Sequence, residues 1–252
     1  MAEHRFHTPE PVELEVKIPS GEIEVETVDG DESLVVIDGS EKLVEQTTVE
    51  LRGRKLVVEF RGKGVFGISI SIGDFGFGNG KLRVRVRVPH GSDATLQTAA
   101  ADMTVAGRVR SLETKSASGD LVVHGAVESD ATVKTVSGDV RLETVGGDLR
   151  VQGVSGDVSV RSVEGSVETK SVSGDVRVDS VRQGHVTAQS VSGDIRIGVA
   201  PGTSLDVDAG SVSGDLGSEV PLGSDPSEAG DGPTLVVRGK TVSGDFRVVR
   251  AG

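Results

Sequence analysis

A five-residue phrase, Ser-Val-Ser-Gly-Asp or a close variant, recurs seven times along this sequence. Counted by its glycine, it stands at Gly119, Gly138, Gly156, Gly174, Gly193, Gly214 and Gly244, at intervals of 19, 18, 18, 19, 21 and 30 residues. Self-similarity at a nearly fixed period marks a chain that stacks one structural unit on the next. In the repeat that begins at Ser171, Val176 and Val178 alternate with Asp175 and Arg177, the period-2 pattern of a half-buried strand. A second short strand, Val186-Thr187-Ala188, follows a turn. Gly184 lies ten residues after Gly174 and nine before Gly193, and Gly147 and Gly165 mark similar half-steps. Each unit therefore reads as two strand-plus-turn halves with glycine at the corners, where tight turns often need a positive φ.

Strands this short cannot bury an apolar face alone. If each unit coils once and lays its strands on those of the unit before, valines stack on valines and backbone groups find partners. The predicted fold is all-β, a parallel β-solenoid of ~18-residue coils; with a rise of about 4.8 Å per coil, some eight coils would make a rod roughly 40 Å long. The repeats occupy residues 95–250, and Ala100-Ala101-Asp102 reads as a degenerate first coil 18 residues before Ser118-Gly119-Asp120. The long interval before Gly244 is filled by Pro/Gly/Ser-rich text at 221–233, read as an inserted loop.

Residues 1–94 alternate too, but less regularly, and are expected to cap the amino-terminal end within one continuous domain. Glu13, Glu15, Glu22, Glu24 and Glu26 line the outer face of the first strands, and Arg83, Arg85 and Arg87 that of a later one. Opposite charges on adjacent strands stabilise each other, so these strands should lie side by side. A cap is needed because an open end offers unpaired strand edges.

With no Cys, Trp or Tyr and six Phe among 252 residues, the interior must be thin and aliphatic. The net charge of −12 argues against a nucleic-acid partner. No run of about 18 apolar residues suggests a membrane span, and no signal-like segment opens the chain, so a cytoplasmic location is the expectation.

The aspartates of the phrase form a column: Asp120, Asp139, Asp157, Asp175, Asp194, Asp215 and Asp245. Carboxylates one coil apart repel by about 1 kcal/mol in a water-like dielectric, so something must offset them. Calcium is one answer, with Asp139, Asp157, Asp175 and Asp194 as ligands. Structural turn chemistry is the other and the preferred one: backbone N–H donors, Arg141, Arg177, Arg196 and Arg247 two residues on, and Lys115, Lys134, Lys170 and Lys240 four before the glycine. The nine-residue period of calcium repeats is not met.

Gly62–Gly67 matches a dinucleotide-binding pattern, but the alternating, glycine-rich text that follows cannot open a helix. The same stretch concentrates apolar bulk, and Phe66, Phe75 and Phe77 are candidate partner contacts. His4 and His7 could form half of a metal site only if other ligands joined them. No nucleophile or acid–base constellation has informative spacing.

The phrase SVSGDVRV and the lead-in RVRVRVPHGSDATLQT resemble the bacterial β-strand-repeat domains known as "putative adhesin" or toastrack domains, over about Pro11 to Val249. The resemblance implies a non-enzymatic β-solenoid without catalytic residues or cofactors, often found in envelope-stress or regulatory settings. The expected function is a scaffold or protein-interaction module with a protein partner. The alternative is an adhesin-like surface or carbohydrate-binding solenoid stabilised by calcium; the lack of Trp and Tyr, which usually grip sugars, weighs against it.

Overall fold

The computed structural model describes residues 1–61, 81–219 and 233–251. The chain is a parallel β-solenoid with two facing walls and one continuous aliphatic core. Two long strands, β2 (Glu13–Val28) and β7 (Asp93–Val109), bend through the first corner and so contribute to both walls. Shorter strands then alternate between the walls. One wall continues through β8 (Leu112–Ser118), β10 (Ala131–Thr135), β12 (Leu149–Gln152), β14 (Val167–Lys170) and β16 (Gly184–Ser192). The other continues through β9 (Leu121–Val127), β11 (Val140–Val145), β13 (Val158–Val163), β15 (Val176–Val181) and β17 (Ile195–Val199).

The period-2 pattern makes the core. Val140, Val158, Val176 and Ile195 stand in register on one wall, and Leu149, Val167 and Val186 on the other, all essentially inaccessible. A stack of like residues fills most of each column, so Val, Ile and Leu carry most of a core where a globular protein would use more Phe or Trp; the first of these columns runs on to Phe246.

The glycine of each phrase is fixed by its neighbour one coil away. Gly156 has φ +113°, and a Cβ placed there would sit 2.2 Å from the carbonyl oxygen of Gly138. Gly138 stands the same way over Gly119, and Gly174 over Gly156. Handedness of the backbone and closeness of the coils both demand glycine.

At both ends the coils do not follow chain order. The last coil, β20 (Thr234–Ser243) and β21 (Phe246–Arg250), lies between the β16/β17 coil and the coil formed by β18 (Ser204–Ser213) and β19 (Leu216–Ser218). Val237 stands between Val186 and Val207, and Phe246 between Ile195 and Leu216. Strictly sequential stacking, the simplest reading of the repeat, fails here. The 30-residue interval before Gly244 therefore reflects a chain that steps over a slot and returns to fill it. The reason is packing: Leu235, Val237, Phe246 and Val248 are buried, whereas the outer coil exposes Leu216 and most of Val212.

The amino-terminal end repeats the device. β6 (Arg83–Pro89) enters between β2 and β3 (Glu32–Asp38), with Glu22, Glu24 and Glu26 in register with Arg83, Arg85 and Arg87. The Arg83–Glu22 and Arg87–Glu26 pairs close at 2.7 Å, as the charge pattern predicts. Antiparallel strands complete the cap: β1 (Ala2–His7) on β3, and β4 (Thr47–Arg52) on β5 (Lys55–Phe60), preceded by the short helix α1 (Glu41–Glu45).

The corner geometry has a direct test. Gly156→Ala should destabilise the protein by about 3 kcal/mol or more, through left-handed strain and backbone collision together. Gly202→Ala, at φ +78° with nothing near its Cβ position, should cost only about 1 kcal/mol. Denaturant midpoints of the two variants check the contrast.

Candidate functional site

The aspartate column is a ladder of hydrogen bonds. Each Oδ1 accepts the backbone N–H of the next aspartate in space: Asp102 from Asp120, Asp120 from Asp139, Asp139 from Asp157, Asp157 from Asp175 and Asp175 from Asp194, at 2.8–3.1 Å. It then follows the coils rather than the chain, with Asp194 accepting from Asp245 and Asp245 from Asp215. A hydrogen bond to a charged acceptor contributes about 1.5–3 kcal/mol, which exceeds the ~1 kcal/mol repulsion between successive carboxylates. The column is thus held by the protein's own amides. Arg141 and Arg247 add bonds to Asp139 and Asp245 at 2.7 Å. Arg177 turns instead to Asp179, and the lysines four before the glycine do not reach the column: Lys115 and Lys170 bond Glu113 and Glu168. A shorter ladder on the opposite corner runs from Asp130 through Asp148 to Ser166.

Those lysines belong to another feature. In the strand that enters each corner, side chains alternate: Val133 points in, Lys134 out, Thr135 in and Val136 out. Stacking multiplies the pattern. Val136, Val154, Val172, Val191 and Val242 form an apolar ridge, each about half exposed. Gln97, Lys115, Lys134, Gln152 and Lys170, in register on adjacent coils, form a parallel polar row. Between them runs an open groove of about 700 Å³ floored by Thr98, Ser116, Thr135, Gly153 and Ser171. Spanning five coils, it is roughly 19 Å long.

The floor is apolar despite its residue types. Ser116, Thr135 and Ser171 donate their hydroxyls to the carbonyls of Ser118, Ser137 and Ser173 at 2.6, 2.9 and 3.1 Å, and show carbon to the groove. Backbone groups along the ridge are also engaged, as in Ser155 N–H to Val136 O and Ser173 N–H to Val154 O. Lys134 has no ion pair among the described residues, so its ammonium is the free cation of the row.

Other candidates do not assemble. Phe66, Phe75 and Phe77 lie outside the described residues, as does the loop at 221–233 except Pro233. His4 and His7 are three apart on β1 and so project to opposite faces. No group of three or more His, Asp or Glu that could hold a metal ion occurs among the described residues.

A second, polar cleft is lined by Glu13, Glu15, Lys55, Asp93 and Thr95 near the amino-terminal end. Glu15, largely covered, is bonded by Lys17 and, at 2.6 Å, by Lys55. Lys17, then Lys55, hold its carboxyl below the usual value of 4.5. Asp93 is likewise held below 3.8, chiefly by Arg110 and also by Ser111 Oγ at 2.6 Å.

Two outcomes follow. Asp157→Ala strands the Asp175 amide and should cost about 1–3 kcal/mol, whereas Asp157→Asn keeps an acceptor and should cost well under half of that, with no change in melting temperature on adding calcium. For Glu15 and Asp93 the folded-state values are depressed, so their stabilisation is complete above about pH 4.5 and disappears as pH falls through the folded values. A Glu15→Gln/Asp93→Asn variant should therefore melt below wild type at pH 6, and the gap should narrow as pH falls below the ordinary carboxylate range, which a melting series against pH measures.

The fold recurs in known proteins. A Bacteroides fragilis protein described as a "putative adhesin" superposes with a TM-score of 0.58 at 14% identity, covering 98% of this chain and 96% of that one. A Parabacteroides distasonis protein described as a "putative lipid binding protein" superposes with a TM-score of 0.52, also at 14% identity and with the same coverage. No curated protein matches the sequence. The Toastrack DUF4097 family profile matches residues 12–248, nearly the whole chain, and the protein belongs to that family.

Proposed function

We propose that this Toastrack chain is a non-catalytic binding module, a rigid scaffold whose corner groove holds the hydrocarbon chain of an anionic amphiphile. The observation that supports this most is the groove itself: an apolar ridge, and a floor whose Ser116, Thr135 and Ser171 hydroxyls are already bonded to backbone carbonyls, beside the free cation of Lys134. A protein segment lying there in extended form would leave its own amides unpaired, at about 1–3 kcal/mol for each one desolvated. A hydrocarbon chain has no such demand. In a chain of net charge −12, Lys134, unpaired among the described residues and set between Lys115 and Lys170 that are already paired with Glu113 and Glu168, is a local exception, and it favours an acidic head group. The lipid-binding description of the Parabacteroides relative points the same way.

The groove is open, so binding should be modest. Covering roughly 250 Å² of hydrocarbon at about 25 cal/mol/Å² contributes about 6 kcal/mol, which sets affinities no tighter than tens of micromolar.

Calorimetric titration with laurate and with dodecyltrimethylammonium, both below micelle formation, tests the reading. Laurate should bind at least tenfold more tightly than the cation. Val154→Asp should leave the melting temperature unchanged and weaken laurate about tenfold, and Lys134→Glu should remove the preference for laurate. Equal binding of the two amphiphiles, or laurate binding indifferent to Val154→Asp, would contradict it.

A further inference from the structure

The Ser-Gly-Asp corners are built alike, and the slot between the β16/β17 and β18/β19 coils is filled by a segment that arrives last in the chain. The two segments that compete for the β16/β17 edge are aligned residue for residue. Val207 and Val237 share one register position, Ala209 and Gly239 the next, and Leu216 and Phe246 a third. Both carry the Ser-Gly-Asp corner, at Gly214 and Gly244, so either could set its glycine over Gly193 and its amide on Asp194.

The C-terminal segment wins through its core. Phe246 is fully buried and lies against Gly239, where a Cβ would come within 2.0 Å of the ring. The rival coil has Ala209 and Leu216 at those places and acidic Asp206 and Asp208 in its strand. Nothing in the contacts that define the slot depends on the segment's belonging to the same chain. Residues 220–232 join the two coils, and thirteen residues reach roughly 45 Å when extended.

We infer that the edge of the β16/β17 coil is a docking site for the 233–251 segment of a second copy of this chain, so that two molecules can exchange their last coils. Within one molecule the tethered segment has an effective concentration in the millimolar range. Dilute folding therefore gives monomers, and folding at high protein concentration gives a reciprocally exchanged dimer. The Phe246–Gly239 fit makes the exchanged state specific, because the rival coil has Ala209 and Leu216 at those places.

Thr187 and Arg238 are neighbours in register across the slot, and the sequence contains no cysteine. Adjacent parallel strands are close enough for a disulfide. Full-length Thr187→Cys and Arg238→Cys proteins are mixed, unfolded together, refolded at high or low concentration, and oxidised. The expected result is a mixed disulfide dimer after concentrated refolding, reduced at least tenfold after dilute refolding, and absent when either variant is refolded alone with residue 187 or 238 as its only thiol partner. A doubly substituted chain refolded dilute should close the bond within itself. Only monomers after concentrated co-refolding, or failure of the double variant to close its internal bond, would overturn the inference. Melting temperatures near wild type for both single variants confirm that each folds.

Discussion

The structure depends on what happens where one corner lies on the next. Coils that stack at strand spacing leave no volume for a Cβ between Gly156 and the Gly138 carbonyl. They also bring each aspartate carboxylate to the amide of the next. These two contacts fix the vertical register of every coil. Once a corner is set, the valines on either side fall into columns, and a thin, mainly aliphatic core forms in which Phe60 and Phe246 are the buried aromatics among the described residues. The repulsion expected of stacked carboxylates is outweighed locally, coil by coil, by the amide hydrogen bonds they accept.

The same repetition that builds the core builds the outer surface. A solenoid cannot bury one valine of its phrase without burying all, or expose one without exposing all. The exposed ridge at Val136, Val154 and Val172 is therefore a surface of fixed period, and the lysine and glutamine row beside it follows the same rule. Function in such a fold is read along columns rather than at a single constellation of residues.

Much of this was legible in the residues. The glycine spacing announced the coil, Ala101 and Asp102 form a corner beneath Gly119 and Asp120 although an earlier corner, at Gly21, precedes them, and the Glu22–Glu26 and Arg83–Arg87 faces found each other as their charges required. The groove was not seen, because valines in a repeat read as core. The signal was present in parity: Val136 lies three residues from buried Val133, an odd separation that turns it outward. The order of the last coils was hidden for a different reason. Two segments that share the Val-Ser-Gly-Asp corner satisfy the same register, and the choice between them rests on the packing of Phe246 over Gly239, which no periodicity encodes. The stretches where regularity breaks, around Phe66 to Phe77 and from residue 221, lie outside the described residues.

The central claim is that the corner ladder runs through space as Asp194, Asp245, Asp215, so that the end of the chain lies inside the solenoid and an earlier segment lies outside it. Residue-resolved amide hydrogen exchange tests it most directly. The account predicts that the amides of residues 234–250 are protected nearly as strongly as those of β15 to β17, and that residues 204–218 exchange fastest among the coils. A chain whose protection instead declined steadily in sequence order, with 234–250 the least protected, would contradict it.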